Sequence, residues 1–577
     1  MRLPTLSTVV HTVAVIGTTM ASADRTYYNP ILPGWHSDPS CVYVAEQETF
    51  FCATSTFIAF PGIPLYASKD LQNWELASNI FNRPSQIPDI ARTEGQQGGI
   101  YAPTIRYRDG TFYLIVSSIG PSLEGLVFTS TDPYSDAAWS EPLVFPVLGI
   151  DPDIFWDDDG QVYVTSADNN QIQHYSLDLT TGETGKVTSL WNGTGGAYPE
   201  GPRLYKEYGY YYLLIAEGGT ETNHAVTMAR SKSRTGPWEP CPDNPVLTNR
   251  NTTQYFQTVG HADLFQDGSG NWWGVALSTR SGPEWVNYPM GREAVLTPAK
   301  WEEGSWPVLQ PVRGVMRGPL PAESEVQSPI NEPEHFTFAP GSEIPNNLVY
   351  WRLPEESSYV VSPKDHPNTL RLTPSAYGPS YNESSVTDPI TFIARRQTDT
   401  LFRFSVDLDF APKSPNVEAG VSVFLTQEQH VDLSIVDVVR SQSETSTARV
   451  IQLNTYGRGN YNGSLKNVTT DIPSHWENET VSLTVEAVDD QEYSFSASLA
   501  SQPRKRIKIG TVDARVLSGD TGRFTGTLLG VYASRGGYGA STTTDLDGRT
   551  DDFAYFGDWT YTGLGQKVDH DLIVRSY

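Results

Sequence analysis

The stretch RDGTFYLIVSS, residues 108–118, joins a turn of Asp and Gly directly to a pair of aromatic residues and an apolar run. Four more stretches combine a turn rich in Asp, Gly or Glu with an aromatic pair or its equivalent: EQETFFCATST (46–56), DDGQVYVTSA (158–167), EYGYYYLLIAE (207–217) and GSGNWWGVALST (268–279). A short polar turn before an apolar run is typical of a β-hairpin. The aligned aromatic positions are 62, 50, 49 and 61 residues apart, and they are Phe51, Tyr113, Tyr163, Tyr212 and Trp273.

Each of these turns also follows a short apolar segment: DPSCVYV, APTIRY, DPDIFW, EGPRLY and HADLFQ. Apolar and polar residues alternate along the segments, and the 3.6-residue period of a helix is absent. Repeats of short strands at this spacing are typical of propeller blades. We therefore predict an all-β protein with a five-bladed β-propeller over residues 24–320. A β-sandwich, which has no such period, is less favoured for this region.

A segment dense in Pro and Glu follows the fifth repeat and predicts a linker over residues 321–335. Beyond it the alternation continues without the repeat, as in FRFSVDLDF and VSLTVEAV. This pattern predicts a C-terminal β-sandwich over residues 336–577.

The N-terminus has the features of a secretory signal peptide over residues 1–23. Arg2 precedes a modest apolar stretch, and Ala-Ser-Ala at 21–23 fits a cleavage site before Asp24. We therefore expect a secreted, extracellular protein. Six N-x-Ser/Thr sequons agree with this route and predict N-glycans in a eukaryotic host: Asn192, Asn251, Asn382, Asn462, Asn467 and Asn478.

The charge balance bears on the partners of the protein. Lys and Arg number 40 against 67 Asp and Glu, for a net charge of −27. Nucleic acids and anionic membranes are polyanions that such a surface repels, so we expect neither as a partner. No apolar run beyond the N-terminus approaches the roughly 20 residues of a membrane-spanning helix. A neutral ligand remains compatible, and the aromatic content of 11% suits both a β-protein and stacking against sugars.

Three cysteines cannot build a disulfide framework. Cys41 and Cys52 flank a hairpin-like stretch and would face each other across it. Two alternatives are open for them, a disulfide bond or two buried free thiols. Cys241 is left over and is expected to be free, and no spacing suggests zinc.

The repeat places chemistry-bearing residues at matching positions. Twelve residues before the aligned aromatic, or thirteen in the first repeat, stand Asp38, Tyr101, Asp151, Glu200 and His261. The innermost strands of a propeller surround its axis, so these side chains should converge there. Carboxylates held close together titrate at different pH values, which an acid and base pair requires.

Simpler roles compete with these assignments. Asp153 points the same way as Asp151 and is the less favoured of the two, while Asp157, Asp158 and Asp159 read as a solvated hairpin turn. Glu200 in YPEGPRLY could be exposed at a Pro-Gly turn, although its register argues against this. His261 could equally be a satisfied buried histidine.

At these residues the chain resembles glycoside hydrolase family 43. The matching segments run in the family's order from residue 29 to residue 301: NPILPGWHSDPS, FPGIPLYASKDLQNW, GIYAPTIRYRDGTFYLIVSS, GIDPDIFWDDDG, YPEGPRLYK, VGHADLFQD and GREAVLTPAKW. The C-terminal region is similar to the concanavalin-like sandwich of many β-xylosidases in the family. The resemblance implies an inverting, exo-acting glycosidase that acts on neutral plant cell-wall saccharides containing xylose and arabinose.

The resemblance also implies roles for individual residues. Asp38 matches the general base, Glu200 the general acid, and Asp151 the carboxylate that tunes the pKa of the acid. Arg292 matches an arginine that contacts the innermost sugar, and Tyr101, His261 and Phe57 are further candidates for substrate binding. Some members hold calcium at the matching histidine, so a structural calcium at His261 is implied, although the chemistry requires no cofactor.

Several alternatives stay open. Members commonly have Trp where this chain has Tyr101, so the fine specificity is in doubt, and β-D-xylosidase and α-L-arabinofuranosidase activities are not distinguished. A β-fructosidase is disfavoured because Ser37 and Ser40 flank the Asp-Pro pair. A non-catalytic sugar-binding or structural propeller would not confine three carboxylates in register. A loop of the sandwich is expected to close the pocket, with YASRGGYG (532–539) as the candidate.

Overall fold

The computed structural model describes residues 24–324, 333–380, 387–439, 447–457, 465, 467–536 and 552–575. The predicted signal peptide, residues 325–332 of the predicted linker, and the sequons Asn382 and Asn462 lie outside this set. The other four sequon asparagines are exposed. None of the helices in the described residues is long and apolar enough to span a membrane.

The N-terminal half is built from short antiparallel strands, as the alternating pattern predicts. Their bounds are β1 Arg25–Tyr28, β2 Ser40–Val44, β3 Thr49–Ala53, β4 Ala59–Phe60, β5 Gly62–Ser68, β6 Glu75–Phe81, β7 Gly99–Arg108, β8 Thr111–Ile119, β9 Leu123–Ser130, β10 Leu143–Phe145, β11 Ile150–Trp156, β12 Val162–Asp168, β13 Gln171–Ser176, β14 Thr188–Ser189, β15 Glu200–Glu207, β16 Tyr210–Glu217, β17 Ala225–Ser231, β18 Glu239–Pro240, β19 Phe256–Gln266, β20 Trp272–Arg280, β21 Glu293–Lys300, β22 Val308–Leu309 and β23 Val315–Gly318.

These strands form five four-stranded sheets, made from consecutive strands except that the first omits β4. The sheets are β2-β3-β5-β6, β7-β8-β9-β10, β11-β12-β13-β14, β15-β16-β17-β18 and β19-β20-β21-β22. Each aromatic marker of the sequence repeat lies on the second strand of a sheet and pairs with the first. The five-bladed propeller is therefore confirmed, and β1 pairs with β23 so that the two ends of this region meet.

The C-terminal half is a two-layer β-sandwich. Its strands are β24 Glu334–Phe336, β25 Val349–Trp351, β26 Tyr359–Val361, β27 Leu370–Leu372, β28 Phe392–Arg396, β29 Leu401–Asp409, β30 Glu418–Thr426, β31 Gln429–Val439, β32 Thr447–Tyr456, β33 Val468–Asp471, β34 Val481–Ala487, β35 Glu492–Leu499, β36 Ile507–Asp513, β37 Leu528–Ser534, β38 Ala554–Asp569 and β39 Leu572–Val574. One sheet follows the order β26-β27-β38-β29-β34-β35-β36, with β24 and β39 also on β38, and the other follows β33-β32-β31-β30-β37-β28-β25-β4. Inward-facing residues of both sheets, such as Phe404 and Val421, form one apolar core.

The propeller and the sandwich share a sheet. Strand β4 leaves the first blade and pairs with β25, with Phe60 opposite Tyr350 and Ala59 opposite Trp351. Beside this pairing, Arg352 donates hydrogen bonds to the backbone oxygens of Thr93 (2.7 Å) and Gly95 (2.6 Å). Backbone pairing and buried charge-assisted bonds fix the position of one half on the other.

The structure decides between a disulfide bond and two free thiols for the first two cysteines. Cys41 and Cys52 are direct partners on β2 and β3 and form a disulfide bond. Cys241 is buried and free, as expected.

A cluster of buried charges ties the five blades together below the candidate site. Asp263 on β19 pairs with Arg106 on β7 (2.8 Å) and accepts hydrogen bonds from Ser40 (2.6 Å) and Tyr205 (2.7 Å). Arg106 also pairs with Asp153 on β11 (2.8 Å). Asp153 is fully buried in this cluster, so its side chain is structural, in line with the preference for Asp151 as the functional residue. Charges removed from water are tolerated only when they are paired in this way.

The turn at residues 157–159 differs from the solvated turn that the sequence suggested. Asp158 and Asp159 are exposed, but Asp157 is half-buried and pairs with Lys206 (2.8 Å) and Arg234 (3.0 Å) of the next blade. The turn therefore fastens two neighbouring blades.

Asp263→Asn should destabilise the propeller because it leaves Arg106 and Arg203 buried without their shared carboxylate. Breaking a buried pair in this way typically costs about 3–5 kcal/mol. Denaturant unfolding measures the loss. The matched control is Asp109→Asn, at a side chain that is 89% exposed and paired only with Arg108, and this change should cost less than about 0.5 kcal/mol. Equal unfolding midpoints for the two variants would refute a structural role for the cluster.

Candidate active site

In every blade a residue on the innermost strand, or just before it in the first blade, has left-handed backbone near the axis. These residues have φ between 37° and 57°, and each stands four positions before the partner of the aromatic marker: Asp38, Ala102, Asp151, Gly201 and His261. Such a conformation costs a non-glycine residue about 1–3 kcal/mol and is concentrated at functional sites. In all but the first blade the strand pairing is irregular at this point.

This geometry corrects the register that simple counting predicts. The structural equivalents of Asp38 in the second and fourth blades are Ala102 and Gly201, so Tyr101 and Glu200 each precede the matching position by one residue. The added Cβ of any other residue at position 201 would come within 3.0 Å of His261 Nε2. Glycine is therefore favoured there, because it adopts this φ without strain and lets the histidine ring approach closely.

The site lies in a pocket of about 290 Å³. Five of the predicted site residues line it together: Asp38, Tyr101, Asp151, Glu200 and Arg292. The remaining lining comes from Ile150, Tyr198, Gly219, Thr220 and Glu221 of the propeller and from Arg523 and Phe524 of the sandwich. A concave site of this kind with converging ionisable groups is the usual form of an enzyme active site.

Asp38 is buried and held in its ionised form. Arg292 donates to both carboxylate oxygens, at 3.0 and 3.4 Å, and Ser55 Oγ donates at 2.7 Å. Burial alone would raise the pKa of Asp38, but Arg292, and to a smaller extent His261 and Ser55, reverse this and hold it below its usual value. Asp38 therefore carries a negative charge at the base of the pocket.

Glu200 has the opposite environment. Burial raises its pKa well above the usual value, and the neighbouring Asp151 and Asp38 carboxylates raise it further. Burial also raises the pKa of Asp151 to about 7, with a further contribution from Asp38. Asp151 accepts a hydrogen bond from the backbone N–H of Gly201 (3.0 Å), which fixes it beside Glu200. Glu200 therefore retains its proton at pH values at which Asp38 has lost its own.

The loop that leads into Glu200 is organised around another buried carboxylate. Glu217 on β16 accepts hydrogen bonds from the backbone of Thr194 (2.8 Å) and Gly196 (2.8 Å) and from the hydroxyl of Thr227 (2.6 Å). A Cβ at Gly193 or Gly196 would collide with this carboxylate. Glu217 thus holds the loop in place without lining the pocket.

His261 lies beneath the pocket rather than on its wall. Its Nδ1 is 3.6 Å from Asp38 Oδ1, and it is not among the residues that line the pocket, so its assignment as a binding residue stays a prediction. Burial lowers its pKa to about 3, which keeps the ring neutral beside Asp38.

The implied calcium was compared with the residues around His261. Its Nε2 is buried without a hydrogen-bond partner, so it could face an ion or a water molecule. Calcium prefers six to eight oxygen ligands, and the described residues contain no group of three or more His, Cys, Asp and Glu side chains able to hold a metal. The residues present do not form a calcium cage. Calcium at His261 stays a prediction, and no step below depends on it.

Aromatic rings form one wall of the pocket. Phe524 lies 6.4 Å from Tyr101, edge to face, and the guanidinium of Arg292 lies 4.9 Å above the Phe524 ring. Phe57 is fully buried behind them, stacked on Phe524 at 6.0 Å and packed against Tyr101 at 5.0 Å. Phe57 therefore supports the wall and is not among the residues that line the pocket, and its assignment to substrate binding stays a prediction.

The sandwich does complete the pocket, but through a different segment from the one expected. Arg523 and Phe524 lie before β37, and Phe524 accepts two hydrogen bonds from Arg292 through its backbone oxygen (both 3.2 Å). In the segment that was expected to close the pocket, Tyr532 is a fully buried residue of strand β37. Residues 537–539 of that segment are outside the described residues. No repeat or motif marks residues 523–524, so sequence analysis could not find them.

The comparisons with known proteins agree with this geometry. The profile of Glycosyl hydrolases family 43 matches residues 27–307, and that of the Beta xylosidase C-terminal Concanavalin A-like domain matches residues 336–549. The non-reducing end alpha-L-arabinofuranosidase BoGH43B of Bacteroides ovatus is 34% identical over 92% of this chain and 96% of its own length. The chain belongs to glycoside hydrolase family 43.

Other members of the family are similar over nearly the whole chain. A putative beta-xylosidase of Escherichia coli is 31% identical over 92% of this chain and 98% of its own. A solved structure from Bacteroides ovatus, Xyloglucan PUL GH43B, has a TM-score of 0.80 at 32% identity and covers 94% of this chain and all of its own. This glycoside hydrolase is thus an enzyme, which excludes the binding-protein, structural and β-fructosidase alternatives.

Arg292→Met should move the acid limb of the pH–rate profile to higher pH. A base works only when ionised, and the loss of Arg292 removes the main group that lowers the pKa of Asp38, so its pKa rises. The measurement is kcat/KM against pH. Arg292→Lys keeps the positive charge, so its acid limb should lie close to the wild-type pH. Arg523→Met should leave the pH of the acid limb unchanged. An unmoved limb in Arg292→Met would contradict the role of this pair.

Proposed function

We propose that this family 43 hydrolase removes terminal pentose residues, xylose or arabinose, from neutral plant cell-wall saccharides with inversion at the anomeric carbon. The observation that carries the proposal is the opposite perturbation of two carboxyl groups in one pocket. Burial and Asp151 favour the protonated form of Glu200, whereas Arg292 favours the ionised form of Asp38. Hydrolysis of a glycosidic bond needs this combination of an acid and a base.

In the proposed reaction, Asp38 accepts a proton from the attacking water molecule and Glu200 gives its proton to the departing oxygen. Asp151 keeps Glu200 protonated by charge repulsion and stays oriented by the Gly201 N–H bond. Arg292 binds Asp38 and lines the pocket, where it can also donate to a sugar hydroxyl. The acid and the base stand on blades that are not neighbours, which leaves room between them for sugar and water, as inversion requires.

The shape of the pocket supports action at a chain end. Its volume of about 290 Å³ lies near the lower limit of ligand pockets, roughly 300–1,000 Å³. Phe524 and Tyr101 close one side. A terminal sugar fits such a pocket better than the middle of a polysaccharide. The relatives whose names describe an arabinofuranosidase and a xylosidase support both pentoses as candidates.

Secretion is part of the same proposal. The disulfide between Cys41 and Cys52 suits an oxidising compartment. The exposed positions of the four described sequon asparagines suit N-glycosylation. Both features agree with the signal peptide predicted for residues 1–23. N-terminal sequencing of protein from culture medium would test this cleavage, and we expect Asp24 as the first residue.

Glu200→Gln and Asp38→Asn should separate the roles of acid and base. Glu200→Gln should reduce hydrolysis of unactivated saccharides by about 10²–10⁴-fold and affect aryl glycosides with good leaving groups much less, because these need no protonation. Asp38→Asn should abolish hydrolysis of both substrate types. Steady-state rates on a xylo-oligosaccharide and on an activated aryl glycoside give the comparison. Equal losses on both substrates for Glu200→Gln would refute its assignment as the acid.

The products identify the sugar and the stereochemistry. Chromatography of digests of arabinoxylan and xylo-oligosaccharides should show free xylose or arabinose and no shorter internal fragments. Proton NMR during the first minutes should show the anomer opposite to that of the cleaved bond. Release of internal oligosaccharides would overturn the proposal that the enzyme acts on terminal sugars. A product that retains the anomeric configuration of the cleaved bond would mean that Asp38 acts as a nucleophile and not as the base that activates water.

A further inference from the structure

A second cavity lies between the first blade and the sandwich, lined by residues different from those of the active-site pocket. Its volume is about 220 Å³. His36, Tyr66 and Leu76 line it from the propeller, and Arg395, Arg396 and Thr398 line it from the end of β28 and the segment that follows. It therefore contains two arginines from consecutive positions of one strand.

Arg396 is buried without a counter-charge. It is 6% exposed, within the described part of the chain no carboxylate lies within 4.0 Å of it, and its Nε is buried without a hydrogen-bond acceptor. Arg280, which is equally buried, shows the ordinary arrangement: Glu293 accepts from its Nε at 2.6 Å and from its Nη2 at 2.8 Å. A buried guanidinium stays charged, so it needs an anion or strong acceptors nearby.

The groups around Arg396 do not supply that charge. Burial lowers the pKa of His36 to about 3, so this ring is neutral, and its Nε2 is hydrogen-bonded to the Tyr66 hydroxyl at 2.8 Å. The Trp35 ring lies 5.5 Å from the guanidinium and offers only its π face. These neighbours are weaker partners than a carboxylate for a desolvated cation.

Two carboxylates line the cavity, the exposed Glu75 and the half-buried Glu334, and Glu334 is directed to the other arginine. Glu334 lies 3.4 Å from Arg395 and accepts a hydrogen bond from Asn347 at 3.0 Å. Arg395 is also bonded to Thr398 (2.8 Å), and its guanidinium lies 3.3 Å over the Tyr561 ring. Its Nε and Nη1 still have no acceptor. With Glu334 compensating one arginine, the buried part of the cavity keeps one uncompensated positive charge and several unused donors.

We propose that this cavity binds a small oxyanion, a carboxylate or a group of sulfate size, between Arg396 and the free donors of Arg395. The anion would join the first blade to the sandwich from a position beside the shared sheet of β4 and β25. The charge must act locally, because the protein as a whole is strongly negative. The proposal does not depend on the reaction at the active site. Its ligand is either a free inorganic anion or the carboxylate of a sugar acid.

Equilibrium dialysis of the full chain with radiolabelled sulfate and, separately, radiolabelled glucuronate tests the site at constant ionic strength set by sodium chloride. We expect one saturable site per chain for at least one of these anions. Tighter binding of sulfate identifies a free inorganic anion as the ligand, and tighter binding of glucuronate identifies a sugar acid. If neither anion shows saturable binding, the proposal is overturned. A carboxylate of the chain itself that filled the cavity would give this result.

Variants locate the bound anion. Arg396→Met should weaken binding by about tenfold or more, the usual contribution of a hydrogen bond to a charged group, and Arg396→Lys should retain part of the affinity. The matched control is Arg523→Met, which removes a sandwich arginine from the active-site pocket and should leave binding unchanged. Equal losses in Arg396→Met and Arg523→Met would place the anion elsewhere and overturn the proposal.

A further variant keeps the test decisive if Arg396→Met does not fold. Leu76→Trp enlarges a half-buried lining side chain, so it should fill the cavity and abolish binding while both arginines remain. Circular dichroism and the melting temperature confirm that each variant is folded. In the wild type the melting temperature should rise with the concentration of the bound anion, since a ligand specific to the folded state stabilises it. Undiminished binding in a folded Leu76→Trp variant would overturn the proposal.

Discussion

The burial of charge at the propeller axis is the constraint on which the rest of this structure depends. Five innermost strands bring ionisable side chains together in a volume that excludes water, and each charge there needs a partner. Arg106, Arg203 and two aspartates satisfy this need in the lower part of the axis. In the upper part Arg292 forms an ion pair with Asp38, but no cation in the described part of the chain forms one with Glu200.

This unequal compensation is the source of the proposed chemistry. The same desolvation acts on Asp38, Asp151 and Glu200, yet only Asp38 gains a close cation and a short hydroxyl bond. Its pKa therefore falls while those of its two neighbours rise. Local backbone supports the difference, since the left-handed conformations at Asp38 and Asp151 direct both carboxylates towards the axis.

The sandwich contributes to the site and also depends on the propeller for its own position. Phe524 reaches into the pocket and is held by Arg292, while β4 of the first blade extends a sandwich sheet. The two halves therefore share backbone pairing at one point and a functional wall at another. The cavity with Arg396 lies in the same interface, so an anion bound there would strengthen the contact on which the position of Phe524 depends.

The amino-acid sequence by itself determined the fold class, the disulfide pair as one of two alternatives, and five of the twelve residues that line the pocket. These features follow from local patterns, because alternation marks strands, an internal repeat marks blades, and matching positions in a ring must converge. Tertiary structure alone decided the one-residue offset of Tyr101 and Glu200, the placement of His261 and Phe57 behind the wall, and the arrival of Arg523 and Phe524. Among the described residues, it also left Arg396 without a carboxylate partner. Each of these depends on how segments far apart in the chain pack together, and no local period in the sequence records that packing.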